Sequence, residues 1–275
     1  MSDHGTEVRS GTRFEFGANW GQFLRVLDDA RIAEAERSLR ENLGVESLAG
    51  KKFVDIGSGS GLFSLAARRL GASVHSFDFD PQSVACTREL RRRYFPDDAQ
   101  WVVDEASALD RDYLSRIGTF DIVYSWGVLH HTGAMWQALG NVVPLVRANG
   151  TLFIAIYNDQ GRASRMWLAV KKAYNRLPSG LRWLVVLPSF ARLWGPTTVR
   201  DLLRGKPGRT WREVKRDRGM TPWRDVIDWV GGYPFEVASP EAIFDFYRDR
   251  GFVLRRLKTR AGGHGCNEFV LSRIA

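Results

Sequence analysis

At the centre of this chain stands the stretch Val54-Asp55-Ile56-Gly57-Ser58-Gly59-Ser60-Gly61, in which three glycines alternate with serines. Apolar residues lead into it, and an apolar pattern of helical spacing follows from Leu62 to Leu70. This order predicts a buried strand, a tight glycine turn and a helix. Glycine permits positive φ and lets backbone N–H groups approach a ligand, and the helix start suits an anionic group.

A second acidic residue strengthens the pattern. Asp78 lies 21 residues after Gly57, at the end of the next apolar run. The dinucleotide-binding fingerprint also places an acidic residue about 20 residues further on, where it binds ribose. A glycine turn alone is a weak signal. Together, Asp55, the alternating glycines and Asp78 predict a nucleoside-binding strand–helix–strand unit.

This arrangement resembles the class I methyltransferases that use S-adenosylmethionine. Their acidic residue followed by G-x-G-x-G is matched by Asp55, Gly57, Gly59 and Gly61, and their ribose carboxylate is matched by Asp78. The resemblance implies S-adenosylmethionine as cofactor and S-adenosylhomocysteine as product. The alternative is a Rossmann-like unit that binds another nucleotide, such as NAD.

Strands alternate with helices along the chain, which predicts a parallel α/β sheet. The resemblance implies a Rossmann-like, seven-stranded, mostly parallel sheet flanked by helices, with an antiparallel last strand. The predicted strands are residues 52–56, 73–77, 100–103, 120–125, 150–157, 252–258 and 268–272. The predicted helices of the core are residues 62–70, 81–93, 135–146 and 240–250.

Four regions are expected along the chain. They are an N-terminal helical lid (1–49), an S-adenosylmethionine-binding Rossmann-like core (50–157), a basic helical insert between strands five and six that acts as a substrate lid (158–239), and a C-terminal helix with the last two strands (240–275). Within the first region, residues 1–13 are expected to be disordered and 14–49 helical. Its aromatic residues Phe14, Phe16 and Trp20 either cover the cofactor or simply pack against the sheet.

Composition favours a cytoplasmic protein. The 275 residues suffice for one α/β domain with elaborations, and the two cysteines do not make a disulfide framework. The polar start lacks the apolar region of a signal peptide. No run of apolar residues is long enough to predict a membrane span.

The positive charge is concentrated in one part of the sequence. Residues 160–220 hold 15 lysines and arginines against three acids, whereas the whole chain has a net charge of +9. This window indicates an acidic, phosphorylated or lipid-linked acceptor, or an RNA partner. The apolar stretch 181–194 inside it carries two arginines. It suits the membrane interface, a buried lid helix or a contact in a homodimer.

Cofactor-binding candidates lie where strands end, because ligands of open α/β sheets bind at the carboxyl ends of the strands. The resemblance places Ala106 and Ser107 near the adenine, and Ser125 and Trp126 beside the methionine moiety. A helix cap is the alternative for the residues after strand three. The full set of candidates is Trp20, Asp55, Gly57, Ser58, Gly59, Gly61, Asp78, Phe79, Ala106, Ser107, Ser125 and Trp126.

Catalytic candidates follow strands four, five and six. The segment 125–132 resembles the motif after strand four in ubiquinone- and menaquinone-type methyltransferases, and it supplies His130 and His131. A histidine can act as a general base near neutral pH. Tyr157 and His264 are expected to converge on the same place, unless the loop of His264 is only a hairpin turn. No metal is predicted, because His130 stands where some quinone-type relatives have an acidic residue.

These observations predict methyl transfer from S-adenosylmethionine to an oxygen or nitrogen of a small molecule. The reaction is an in-line displacement, with a histidine as base. One alternative is an RNA methyltransferase that uses the basic insert. Against it, the sequence has neither an Asn-Pro-Pro-Tyr motif nor a Pro-Cys nucleophile. The other alternative is a protein that binds S-adenosylmethionine without catalysis.

Overall fold

The computed structural model describes residues 3–212, 222–261 and 263–274. The chain forms two compact units. The core unit comprises Glu15–Gln160 and Glu236–Ala275, and the helical unit comprises Met1–Phe14 and Gly161–Phe235. Predictions for residues 213–221 of the basic insert, and for Gly262 of the loop that carries His264, lie outside the described residues.

The core unit contains a seven-stranded sheet, counted over the described residues, in the order β3-β2-β1-β4-β5-β7-β6. The first five strands are parallel, and β7 runs antiparallel to β5 and β6. The predicted Rossmann-like, mostly parallel sheet is therefore confirmed. The strands are β1 Lys52–Ile56, β2 Ser73–Asp78, β3 Trp101–Glu105, β4 Phe120–Trp126, β5 Val146–Tyr157, β6 Phe252–Lys258 and β7 Cys266–Arg273.

The strand order reverses between β1 and β4. The chain moves outward from β1 through β2 to β3, and then returns to the other side of β1 with β4 and β5. Such a switch point opens a crevice at the carboxyl ends of the strands. The ends of β1, β2, β4 and β5 are therefore the expected location of a ligand.

Helices cover both faces of this sheet. Because side chains alternate along a strand, Phe53 and Val54 point to opposite faces, and both are fully buried in separate apolar clusters. Local signals start the helices: Asp80 accepts the backbone N–H of Gln82 at 2.9 Å, and Pro81 occupies the first turn. The helices are Gly17–Phe23, Asp29–Leu43, Leu62–Arg69, Pro81–Tyr94, Arg111–Ile117, Met135–Asn141 and Pro240–Arg248.

Three predicted segments differ from the structure. The helix predicted for 135–146 ends at Asn141, because Pro144 has no N–H to continue it, and β5 already begins at Val146. The helical region 14–49 is divided in two, since Asp28 accepts the Arg31 N–H at 2.9 Å and starts a new helix. The disorder expected for residues 1–13 is wrong, because His4–Arg9 is a helix.

The helical unit has a core of its own. It contains helices Arg162–Arg176, Trp183–Leu203 and Pro222–Gly231 in addition to His4–Arg9. The fully buried Lys171 donates to the backbone carbonyl of Trp229 and lies 4.4 Å from the centroid of that indole ring. Burial lowers the pKa of Lys171 to about 7. In the described part of the chain, no helix combines the length and apolar character needed to cross a bilayer.

Candidate active site

The glycine turn after β1 requires glycine for conformation and for space. Gly57, Gly59 and Gly61 have φ values of 76°, 55° and 81°, a region that disfavours other residues. A Cβ on Gly57 would overlap the side chain of Val128, and one on Gly61 would lie 2.9 Å from the Cα of Thr87. The turn is therefore packed by the segment after β4 on one side and by helix Pro81–Tyr94 on the other.

An indole ring covers the middle of this turn. The Trp20 ring lies 3.1 Å from where a Cβ on Gly59 would stand. Helix Gly17–Phe23, which carries Trp20, is anchored by the Gly17 N–H, which donates to the Asp80 carboxylate at 2.7 Å. Of the aromatic residues expected near the cofactor, Trp20 is thus placed against the glycine turn. Phe14 belongs instead to the helical unit, where its N–H donates to the carbonyl of Tyr233 at 2.8 Å.

Asp78 fixes a carboxylate beside the turn at the end of β2. Its Oδ2 accepts the Gly59 N–H at 2.9 Å, and its Oδ1 accepts the Asp80 N–H at 2.9 Å. Burial raises the pKa of Asp78 to about 6, although both hydrogen bonds favour the charged form. Each carboxylate oxygen keeps a lone pair for a further donor. Phe79 follows at the same strand end and is half-buried.

Asp55 lies inside the fold, below the turn. Its carboxylate, 2% exposed, accepts the Ser64 hydroxyl at 2.5 Å. Ser64 in turn accepts from Ser76 at 2.7 Å, and Ser76 accepts the Trp101 indole N–H at 2.9 Å. Burial raises the pKa of Asp55 to about 7. We call this chain of hydrogen bonds the buried relay. It links β1, β2, β3 and helix Leu62–Arg69 beneath the predicted cofactor site.

The remaining cofactor candidates differ in exposure. Ser125 is fully buried, and its hydroxyl donates to the carbonyl of Ile56 at 2.9 Å, so it joins β4 to β1. Trp126, the next residue, is 41% exposed at the sheet edge. The Ala106 N–H donates to the Asp78 carbonyl at 3.0 Å. Ser107 accepts the Leu109 N–H at 3.1 Å, which starts the turn that leads to helix Arg111–Ile117.

Four rings meet at the ends of β4 and β5. The His130 ring centroid lies 4.4 Å from that of His131 and 4.0 Å from that of Tyr157, and Phe16 lies 5.0 Å from His131. His130 is fully buried, whereas His131 retains 8% exposure. The structure therefore brings together three of the four catalytic candidates. We call His130, His131, Tyr157 and Phe16 the ring cluster.

The fourth candidate, His264, is exposed in the turn between β6 and β7. Tyr157 pairs with Cys266 across the antiparallel β5–β7 ladder, so this turn opens at the same edge as Tyr157. Asn158 and Asn267 secure it, since the Asn267 amide donates to the Asn158 side chain at 3.0 Å. The Cys266 thiol is buried, which raises its pKa to about 12 and makes it a poor nucleophile.

Several residues of this site are not among the predicted candidates. Val128 packs on Gly57, and Thr87 packs on Gly61 and lies 3.0 Å from the Ser58 hydroxyl. The Glu236 carboxylate accepts the Met135 N–H at 2.9 Å, and the Glu236 N–H donates to the His130 carbonyl at 3.0 Å. Burial raises the pKa of Glu236. Only the fold brings Glu236 to the segment that carries the two histidines.

These residues fit a nucleoside ligand. A fixed carboxylate on Asp78 suits ribose hydroxyls, and the glycine turn leads into the N-terminus of helix Leu62–Arg69, which favours an anionic group. Exposed Trp126 offers an aromatic face at the next strand end. Within the described residues, no group of three or more histidine, cysteine or acidic side chains is arranged to hold a metal ion.

Comparison with known proteins points in the same direction. A family model described as a methyltransferase domain matches residues 54–152. A ubiquinone biosynthesis O-methyltransferase from Rhizobium etli is 30% identical over 178 residues, covering 62% of this chain and 67% of that protein. A tRNA U34 carboxymethyltransferase from Methylococcus capsulatus is 28% identical over 151 residues, covering 54% and 44% respectively. The matches thus span from under half to two thirds of these relatives.

A solved structure extends the match beyond the segment of sequence similarity. Magnesium protoporphyrin IX methyltransferase from Synechocystis PCC 6803, with bound S-adenosylhomocysteine, superimposes with a TM-score of 0.54 at 14% identity. The alignment covers 93% of this chain and 94% of that chain. At this identity the likeness concerns the fold alone, and the fold it supports is the Rossmann-like sheet described above.

Proposed function

This chain belongs to the class I S-adenosylmethionine-dependent methyltransferases, and we propose that it methylates an oxygen or nitrogen atom of a small-molecule acceptor. The observation that carries the proposal is the ring cluster. It places His131 at the ends of β4 and β5, while the glycine turn and Asp78 stand at the ends of β1 and β2. One edge of the sheet thus offers a polar nucleoside site and, beside it, an aromatic site with an imidazole.

The donor site follows from residues already fixed in the fold. When bound, S-adenosylmethionine supplies an electrophilic methyl group on a positively charged sulfur. Asp78 would accept hydrogen bonds from the ribose hydroxyls, and the glycine turn would let the ligand come close to the backbone. Trp20 would cover the bound ligand. We assign Ala106 and Ser107 to the adenine side and Trp126 to the methionine side. The assignments rest on the positions of these residues at successive strand ends.

We assign the base to His131, because it keeps some exposure while His130 has none. Its imidazole would take the proton from an acceptor hydroxyl as the acceptor oxygen attacks. A positioned general base contributes about 10²- to 10⁴-fold to a rate. His130 and Tyr157 hold the His131 ring in place through contacts of 4.4 and 5.3 Å between ring centroids. His264 stays a candidate for contact with the acceptor.

An oxygen acceptor is favoured over nitrogen. The relatives that are 27–30% identical include several ubiquinone biosynthesis O-methyltransferases, whose name describes O-methylation. A phenolic hydroxyl of a quinone precursor fits an aromatic site with a histidine, because rings stack on the cluster and the hydroxyl needs a base. The role of residues 158–239 as a substrate lid stays a prediction.

RNA methylation is the second candidate. One relative is named as acting on tRNA, and the basic window supplies phosphate-binding charge. The ring cluster favours a small-molecule acceptor, since a general base can remove a hydroxyl proton from a small molecule without any contact to a nucleic-acid backbone. The two candidates therefore predict different labelled products from the same methyl donor.

Methyl transfer from labelled S-adenosylmethionine into fractionated cell extract tests the proposal. We expect label in the organic-soluble small-molecule fraction with the native chain, and much less with His131→Ala. Label that appears in the tRNA fraction, and that ribonuclease treatment releases, would favour the second candidate. Binding of S-adenosylhomocysteine with no labelled product in any fraction would support a non-catalytic binding protein and contradict both.

A further inference from the structure

The helical unit exposes an unusual amount of apolar side chain on helix Trp183–Leu203. Trp183 is 53% exposed, Leu187 is 50% exposed, and Leu203 is 83% exposed. We call the exposed large apolar residues on and next to this helix the outer face. The outer face consists of Leu181, Trp183, Leu184, Leu187, Val199, Leu202 and Leu203.

Other residues of the same helix are packed into a core. Val186 and Trp194 are buried, and the rings of Phe190 and Trp194 lie 5.5 and 6.3 Å from that of Trp211. The Trp211 indole N–H donates to the Thr198 hydroxyl at 3.0 Å. The helix is therefore held from its inner side, and the outer face is not needed for that core. Contiguous exposed apolar residues of this kind mark interaction surfaces.

The described segment that carries the outer face is almost entirely basic in its charged residues. Residues 179–212 contain a single acid, Asp201, which is 4% exposed and accepts the backbone N–H of Thr210 at 2.7 Å. Its charge is thus directed inward. The basic side chains of this segment are Arg182, Arg192, Arg200, Arg204, Lys206, Arg209 and Arg212, and all but Arg182 are exposed.

We propose that the outer face is a docking surface for an anionic phospholipid bilayer. A helix that presents apolar residues and arginines lies in the plane of the headgroups, with its apolar side among the acyl chains. At 21 residues this helix is about 31 Å long, so it offers an extended line of contact. Trp183 stands at its start, and tryptophan favours the boundary between headgroups and acyl chains.

Other occupants fit the outer face less well. A symmetric contact between two copies would bring the same surface, including Arg192 and Arg200, against itself, and like charges would repel. RNA would use the arginines but would leave Leu184, Leu187 and Leu203 without apolar partners. This helix carries Arg192 and Arg200, and within the described residues no helix is long and apolar enough to cross a membrane. An anionic bilayer satisfies both the charges and the apolar side chains.

Vesicle co-sedimentation of the full chain tests this proposal. The vesicles contain either equimolar phosphatidylglycerol and phosphatidylcholine or phosphatidylcholine alone. The native chain should sediment with the first and much less with the second, because each basic side chain near the surface is attracted by anionic lipid. The double variant Leu184→Gln/Leu187→Gln should lower partitioning by about tenfold or more, since two exposed leucines that would enter the acyl-chain region are lost.

A matched control removes exposed apolar residues elsewhere. Val253→Gln/Leu257→Gln changes two exposed residues of β6 in the core unit and should sediment like the native chain. Arg192→Gln/Arg200→Gln should lower binding to the anionic vesicles by about tenfold and leave binding to phosphatidylcholine unchanged. Donor affinity and melting temperature, measured for every variant, identify any that have lost their fold.

Brominated lipid provides a second measurement on the native chain. Bromine in the acyl chains should quench part of the tryptophan fluorescence, and Trp183→Phe should remove most of that quenched part. Absence of sedimentation with anionic vesicles would overturn the proposal. Equal partitioning of native chain and Leu184→Gln/Leu187→Gln, or quenching that is unchanged in Trp183→Phe, would also overturn it. Binding of tRNA but not of vesicles would assign the charge to RNA instead.

Discussion

The two halves of the sheet's carboxyl edge differ in chemistry. At β1 and β2 the edge is built from backbone and carboxylates, with a glycine turn that Asp78 holds through the Gly59 N–H. At β4 and β5 it is built from rings, with His130 close to both His131 and Tyr157. Backbone amides and fixed charge suit the binding of a polar nucleoside, whereas stacked rings and an imidazole suit an aromatic acceptor and proton removal.

Because the two halves differ, we expect mutations to change donor affinity and turnover separately. Changes in the β1–β2 half should weaken donor binding, and changes in the β4–β5 half should slow transfer at unchanged donor affinity. Val128 is the point where the halves touch, because its side chain packs on Gly57. The following variants test whether the division holds.

The largest effect is expected for His131→Ala. Loss of the proposed base should lower kcat by about 10²-fold or more. Affinity for S-adenosylhomocysteine, measured by calorimetry, should stay within about twofold, because the imidazole serves the acceptor half. His75→Gln is the control, since His75 bonds Asp104 and Tyr113 and does not belong to the ring cluster. Full activity in His131→Ala would remove that residue from the mechanism.

The next largest effect is expected for Gly57→Ala. A Cβ there would meet the Val128 side chain in a backbone conformation with φ of 76°. Strain and overpacking together cost about 2–5 kcal/mol, so donor affinity should fall by about thirtyfold or more. Gly251→Ala shares a positive φ of 78° but has open space around it, and it should bind the donor normally. Equal binding by both variants would refute the packing argument.

Asp78→Asn should weaken donor binding by about tenfold or more, because charge-assisted hydrogen bonds to the ribose are lost. In the native chain, donor affinity should decline as the pH falls through about 6, where Asp78 becomes protonated. Asp110→Asn is the matched control, because Asp110 only caps helix Arg111–Ile117 through the Tyr113 N–H. An Asp78→Asn variant with native affinity would place the ribose elsewhere.

The smallest effect concerns stability and Asp55. Its pKa is about 7 in the fold and 3.8 when exposed, so the folded state binds the proton more tightly. Stability from this group is therefore greatest below about pH 4 and is lost as the pH rises to about 7. Between about pH 5 and 7 the native melting temperature should fall by about 5 °C from this group. Asp55→Asn should flatten that decline, and an unchanged slope would argue against the buried relay.

Prediction from sequence succeeded where the determinants are local. The glycine spacing, Asp55 and Asp78 sit within 25 residues of one another, and the structure places the turn and Asp78 side by side. It failed where a local rule was missed, as when Pro144 ended the helix predicted for 135–146. The His4–Arg9 helix was also missed, because its support includes an ion pair from Glu7 to Arg13, which lies beyond the end of the helix.

The β4–β5 half of the edge shows more clearly what cannot be predicted from sequence. His130 and His131 were found because they follow a strand, but the contacts of Phe16 and Glu236 depend on residues more than 100 positions away. No spacing in the sequence encodes such a contact. The sequence equally does not decide whether the outer face of the helical unit is exposed. An apolar helix over residues 181–194 is buried or exposed according to its packing partners, which the sequence does not name.

A crystal structure of the chain with S-adenosylhomocysteine tests the division of the edge most directly. It should show the ribose hydroxyls hydrogen-bonded to the Asp78 carboxylate, and the sulfur directed toward β4 and the ring cluster. A nucleoside bound away from Asp78, or a sulfur that points toward β3, would contradict the account.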